Sequence, residues 1–297
     1  MSYIIDEAFL LPADTDSREL MRQRITDKYQ GARTVNIGKS IEGREIEAYF
    51  LGSGKRCVCL FATHHALESI TTNIAYLLID YIMTMEKLGK INGIDCKLLL
   101  SKYSFIVVPC VNPDGVELHM HGASDSPLFE RQMRMSNGDF TTWQANARGV
   151  DLNHNYDHRF SEYKSVEAKE GIVPGSSLYS GEYPESEPET HAVANLVRIT
   201  NPLACVSLHT QGEQIFAPPN NKKSVRTAQR LAVLCAYTLS VPSGTASYGG
   251  LSDYAASIGI PSFTLELGKG KNPLPLTDAP AIFKRVRDAI VTLPTFI

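Results

Sequence analysis

Apolar residues along this chain fall into two kinds of run, and the two kinds alternate. "REIEAYFLG" (44–52) interleaves apolar and polar positions, the pattern of a strand with one face in a core. "CVCLFAT" (57–63) and "SFIVVPCVN" (104–112) are short and almost continuously apolar, as strands buried on both faces are. "ACVSLHT" (204–210) and "SFTLELG" (262–268) also read as strands. Between them, "TNIAYLLIDYIMTMEKL" (72–88), "SVRTAQRLAVLCAYTL" (224–239) and "APAIFKRVRDAIVTL" (279–293) repeat their apolar residues at helical spacing. This alternation predicts an α/β fold with a buried, largely parallel or mixed sheet.

Composition narrows the function classes. The 297 residues are 43% hydrophobic and 21% charged, enough for a large core, and no linker, low-complexity tract or repeat divides them. A single domain over 1–297 is expected. The formal net charge of −3, without a long basic run, gives no nucleic-acid footprint. No apolar stretch reaches membrane-spanning length. "MSYIIDEAFLLPADTD" lacks the basic start and cleavage site of a signal peptide, so a cytoplasmic location is the expectation. The six cysteines are scattered, mostly inside apolar runs, and read as buried free thiols in a reducing compartment.

In open α/β sheets, sites gather at the carboxyl ends of strands. Polar residues with useful chemistry stand at those places: His64, His65 and Glu68 after 57–63, Asn112 and Asp114 after 104–110, and His209, Thr210 and Gln211 after 204–208. Glu266 lies near the end of the last strand-like run. His65 and Glu68 are three apart, so a chain turning from strand into helix would aim both at one ion, with His64 the alternative ligand. His209 supplies a third donor from a neighbouring strand end. Two histidines and a glutamate leave a coordination position for water, as hydrolytic zinc sites do. Glu266 is then the candidate to take the water proton, or else a satisfied core carboxylate.

Seven segments together resemble the zinc carboxypeptidase family: "IGKSIEGREI" (37–46), "HALE" (65–68), "PCVNPDG" (109–115), "RGVDLNHNYD" (148–157), "PESEPET" (184–190), "SLHTQG" (207–212) and "FTLELG" (263–268). They fall in family order, and the recognisable motifs span about 37–276. The resemblance implies one α/β domain with a mixed, roughly eight-stranded sheet flanked by helices, without a prosegment or wall-binding repeat. It implies one Zn2+ per chain on His65, Glu68 and His209, with Glu266 as general base and Arg148 as the candidate for the cation facing the oxyanion.

One departure bears on substrate. Digestive-type members read Asn-Arg-Asn where this chain reads Asn153-His154-Asn155, and a histidine does not replace a guanidinium fork on a terminal carboxylate. Arg131, Arg134 or Lys269 would have to supply another cation. Four stretches, 137–157, 207–215, 247–254 and 265–276, resemble bacterial γ-D-glutamyl-meso-diaminopimelate peptidases. That likeness implies a peptide substrate derived from cell-wall muropeptides. Asn153, His154, Tyr248, Ser252, Asp253, Lys269 and Lys271 are the candidate binding residues. Tyr248 or Tyr254 is a candidate donor to the leaving amine, and either also fits a packed aromatic. The alternative is a metallocarboxypeptidase that releases ordinary C-terminal residues. Oligomeric state is not legible in the sequence.

Overall fold

The runs that are apolar at every position become the middle of one sheet. A computed structural model describes residues 3–124, 126–241, 244 and 248–297. Its strands are β1 (Arg33–Lys39), β2 (Glu45–Leu51), β3 (Arg56–Ala62), β4 (Lys90–Ile91), β5 (Ile94–Asp95), β6 (Tyr103–Val108), β7 (Ala204–His209), β8 (Gln214–Phe216), β9 (Thr238–Ser240) and β10 (Ser262–Glu266). β4 and β5 pair only with each other. The other eight form a mixed sheet in the order β1-β2-β6-β3-β7-β10-β8-β9. β6, β3, β7 and β10 run parallel at its centre. β2 and β8 join that block antiparallel.

The helices are α1 (Thr15–Lys28), α2 (Ile70–Leu88), α3 (Cys96–Lys102), α4 (Pro113–His121), α5 (Phe129–Ser136), α6 (Phe160–Glu170), α7 (Pro188–Thr200), α8 (Lys222–Cys235), α9 (Leu251–Ser257) and α10 (Ala279–Thr292). They cover both faces of the sheet, so β3 splits its side chains between two cores. Val58 and Leu60 pack with α2, α8 and α10 on one face. Cys59 and Phe61 pack with α7 and α9 on the other. Continuous apolarity in β3 follows from this double burial.

The reading of one helix over 224–239 is corrected. α8 stops at Cys235, Ala236 takes a left-handed conformation (φ 52°), and Thr238–Ser240 joins the sheet edge as β9. All six cysteines are buried and unpaired, as expected. Among the described residues no helix is long and apolar enough to cross a membrane.

Candidate metal centre

The turn after β3 carries the first two donors, and a threonine cluster fixes it. Thr63 sits at φ 57° and donates its N–H to Thr71 Oγ1 (2.9 Å). Its hydroxyl bonds the Thr71 and Thr72 hydroxyls at 2.7 and 2.8 Å, and Thr72 donates on to the Pro109 carbonyl. The strain at Thr63 is thus held by buried hydrogen bonds from the start of α2. Asn112 donates to the His64 carbonyl (3.0 Å) and to the Ala145 carbonyl (3.2 Å), and Ala66 N–H donates to the Gln144 carbonyl (3.0 Å). The loops after β3 and β6 and the segment around residue 145 are therefore one hydrogen-bonded unit.

Three side chains converge there. His65 Nδ1 lies 3.1 Å from Glu68 Oε1, and His209 Nδ1 lies 2.9 Å from Glu68 Oε2. The two Nδ1 atoms are 3.3 Å apart, and one donor atom from each of the three residues falls within 4.8 Å of the others. The outer nitrogens are tied elsewhere. His65 Nε2 meets Asp151 Oδ1 at 3.1 Å and His209 Nε2 meets Ser207 Oγ at 3.0 Å. Asp151 is held in turn by the backbone N–H groups of Asn153 (3.0 Å) and Leu178 (3.2 Å). Both rings thus present Nδ1 to one point, with an outer partner fixing their orientation, the usual support of metal-ligating histidines.

The electrostatics favour a cation at that point. Burial disfavours charge on His65, but Glu68 and Asp151 reverse this and raise its pKa well above the ordinary value. Burial pushes the Glu68 carboxyl up, and His65 and His209 more than reverse it, leaving it at about 2. Burial raises Asp151 too, and His65 pulls it far below the usual carboxylate range. Two imidazoles presenting Nδ1 and one carboxylate at this spacing fit zinc. His64 does not take part. Its ring is fully buried, its Nε2 is bonded to the Tyr156 hydroxyl (2.8 Å), and burial lowers its pKa.

A cavity of about 200 Å³ opens beside these donors. Asn153, His154, Ser252, Asp253 and Glu266 line it, so the fold gathers five of the sequence candidates against His65 and His209. Glu266 ends β10 directly beside His209 in the strand register. Burial pushes its carboxyl up to about 7 against the opposing charge of His209. Asn153 Oδ1 accepts from the Leu251 N–H at 3.2 Å, which ties it to α9. His154 stacks on Tyr163 (4.8 Å between centroids), and burial lowers its pKa.

Four candidates are placed elsewhere. Arg148 faces a separate pocket, where its Nε donates to Glu187 (2.9 Å) and its Nη2 to the Ser186 carbonyl (3.1 Å). Lys269 is exposed and paired with Glu213 at 3.1 Å. Tyr248 stacks on Tyr163 and lies under the Arg159 guanidinium (4.3 Å). Tyr254 packs on Tyr156 and accepts from Arg198 at 2.9 Å. Among the described residues no lysine or arginine lines the cavity. Several lining residues were not singled out from the sequence, Asp151 and Gln144 among them. Asp151 was legible only as a member of a motif, since its 86-residue separation from His65 closes through the fold. Gln144, whose backbone carbonyl is pinned by Ala66 and Asn112, also lines the cavity, and its carboxamide has no hydrogen-bond partner among the described residues.

A family profile described as zinc carboxypeptidase matches residues 18–287. The chain belongs to the zinc carboxypeptidase family. Two curated relatives frame its range. A γ-D-glutamyl-L-diamino acid endopeptidase of Lysinibacillus sphaericus is 30% identical over 274 residues, 88% of this chain and 67% of that protein. Human carboxypeptidase A6 is 28% identical over 254 residues, 78% of this chain and 54% of that protein. Among solved structures, bovine thrombin-activatable fibrinolysis inhibitor superposes with a TM-score of 0.76 at 20% identity, covering 97% of each chain. A murein-tripeptide amidase from Escherichia coli O157 gives 0.57 at 20% identity over 87% of this chain and 91% of that one. Both superpositions show the shared fold. Membership in the family establishes a zinc peptidase, with His65, Glu68 and His209 as its candidate zinc site.

Proposed function

We propose that this zinc peptidase hydrolyses the amide bond between a γ-linked D-glutamyl residue and a diamino acid in cell-wall peptides. The observation that carries this reading is the charge of the cavity. Its lining includes Asp151, Asp253 and Glu266, and among the described residues no lysine or arginine. A peptidase that removes C-terminal residues needs a cation for the free terminal carboxylate, ideally a two-pronged guanidinium. Here the corresponding position is His154, buried and with its pKa lowered, stacked on Tyr163. Cleavage of an internal γ-linked bond needs no such clamp. The 30%-identical endopeptidase points the same way.

The chain's residues divide the chemistry as follows. Zinc, when bound by His65, Glu68 and His209, polarises the scissile carbonyl and acidifies water. Glu266 accepts the proton as the water oxygen adds to the carbonyl carbon. It then returns that proton to the departing nitrogen as the C–N bond breaks, leaving a carboxylate and an amine. A carboxyl poised near neutrality suits both transfers. The Gln144 carboxamide donates to the carbonyl oxygen as charge develops on it, taking the part that the family resemblance implied for Arg148. Asn153 and His154 shape the wall against which the substrate lies. A cytoplasmic site of action fits six unpaired cysteines.

The test is a peptide extended beyond the diamino acid, L-Ala-γ-D-Glu-meso-diaminopimelyl-D-Ala, followed by mass spectrometry. Cutting at the γ-glutamyl bond with D-Ala still attached to the diaminopimelate is the expected result. Stepwise loss of D-Ala alone would replace this reading with the C-terminal exopeptidase.

A further inference from the structure

The polar positions of β2 take no part in the metal centre. Ile46 and Ala48 belong to the core under α7 and α9, so Glu45 and Glu47 share the opposite face with Tyr49. An alternating strand commonly gives such a face to water. Here α1 lies beside it, with Arg22 Nε 3.9 Å from Glu47 Oε1. A cavity of about 300 Å³ remains between α1, β2, α2 and the loop after β6. It is larger than the catalytic cavity of about 200 Å³ and shares no lining residue with it.

The charged groups lining this cavity have capacity to spare. Glu47 is half-buried and accepts no hydrogen bond from any described residue, because Arg22 is committed to Glu19 through Nε (2.7 Å) and Nη2. Burial pushes the Glu47 carboxyl above its ordinary value in spite of Arg22. A carboxylate so placed is costly until a donor meets it. Arg44 donates from Nη1 to Glu42 (2.8 Å) and Asp114 (2.7 Å), and its Nε and Nη2 donate to no described residue. Tyr76, Pro109 and Cys110 give the same cavity an uncharged, largely apolar side. A carboxylate short of donors and a guanidinium short of acceptors, beside an apolar wall, complement an ammonium, a carboxylate and an apolar side chain. Small-molecule pockets run from roughly 300 to 1,000 Å³, so this volume suits one residue better than a peptide.

We propose that this cavity is a second binding site, separate from the metal centre, for a free amino acid with an apolar side chain. The ligand's ammonium donates to Glu47, its carboxylate accepts from Arg44 Nε and Nη2, and its side chain lies against Tyr76 and Cys110. The site does not depend on the γ-glutamyl specificity of the catalytic cavity. No covalent step is involved.

The experiment titrates zinc-loaded protein by calorimetry with three probes: L-leucine, L-leucinamide, which lacks the carboxylate, and N-acetyl-L-leucine, which lacks the ammonium. Leucine should bind, and each derivative should bind at least about tenfold more weakly, the weight of one hydrogen bond to a charged group. Amide hydrogen exchange with leucine present should slow in α1 and β2 and stay unchanged in α9 and β10, which border the catalytic cavity. Glu47→Gln should weaken leucine about tenfold or more and leave kcat/KM for the peptide substrate unchanged. Absence of leucine binding, derivatives that bind as tightly as leucine, or protection confined to α9 and β10 overturns the proposal. So does an unchanged leucine affinity in Glu47→Gln. The three-probe series and the exchange measurement use wild type alone and need no variant to fold.

Discussion

Replacing Asp151 with asparagine removes a carboxylate that sits behind one metal ligand rather than at the metal. The Asp151 Oδ1 atom lies 3.1 Å from His65 Nε2, and the residue is 1% exposed. Its charge makes Nδ1 of the same ring a better donor and holds the ring in register with Glu68. Supports of this kind typically change metal affinity 10–100-fold, or about 1.4–2.7 kcal/mol. Asparagine also turns an NH2 group toward a site ringed by the donors Asn153 N–H and Leu178 N–H. One of these then loses its acceptor, at a cost of about 1–3 kcal/mol in stability. The two effects separate experimentally. Zinc affinity is measured by competition with a chromophoric chelator on folded protein, and stability by denaturant unfolding of metal-free protein. Ser207→Ala is the internal comparison, because it removes a neutral partner from His209 Nε2 at 3.0 Å. Its zinc affinity should fall by less than about tenfold, since neutral hydrogen bonds are about half as strong as charged ones. Unchanged zinc affinity in Asp151→Asn, or a larger loss in Ser207→Ala, would refute this reasoning.

Three further outcomes follow from named contacts. Gln144→Ala should lower kcat by about 10²-fold with little change in zinc content, the size of one lost donor at a developing oxyanion; steady-state kinetics with metal analysis checks it, and Arg148→Ala should lower kcat less. Gly249→Ala should destabilise the fold by about 2 kcal/mol or more, because φ is +66° and the new Cβ would lie 2.3 Å from the His154 carbonyl oxygen; urea unfolding measures it. Glu189 is fully buried, and burial pushes its carboxyl from 4.5 up to about 8. Over that interval the folded state binds the extra proton, so stability is fully present below about pH 4.5 and is lost as pH rises toward 8, by on the order of 4 kcal/mol. Glu189→Gln should flatten that slope in unfolding measured from pH 5 to 8.

Residues that read clearly in the sequence are those whose surroundings impose a pattern. Val58 through Ala62 are buried on both sides of the sheet, so β3 is continuously apolar and its end is easy to place. His65, Glu68, His209 and Glu266 stand at ends of such strands, which made the site legible before any geometry. β8 and the edge strand β9 beside it have three residues each, most of them half-buried or exposed, so no periodicity marks them. The exchange of Arg148 for Gln144 at the cavity wall turns on a tight turn. Asn146 Oδ1 accepts from both Arg148 N–H (3.0 Å) and Val150 N–H (3.1 Å), and this sends the guanidinium outward to Glu187. Spacing within "WQANARGVD" does not reveal that rotation.

The proposed mechanism sets a zinc site on His65, Glu68 and His209 to work with Glu266 on a γ-D-glutamyl bond. Its most direct test gives L-Ala-γ-D-Glu-meso-diaminopimelate and ordinary peptides with free C-termini to zinc-loaded protein, zinc-stripped protein and Glu266→Gln, with products read by mass spectrometry. Release of diaminopimelate by the zinc-loaded wild type alone is the expected result. Release that persists without zinc or in Glu266→Gln, or release of ordinary C-terminal residues instead, would contradict it.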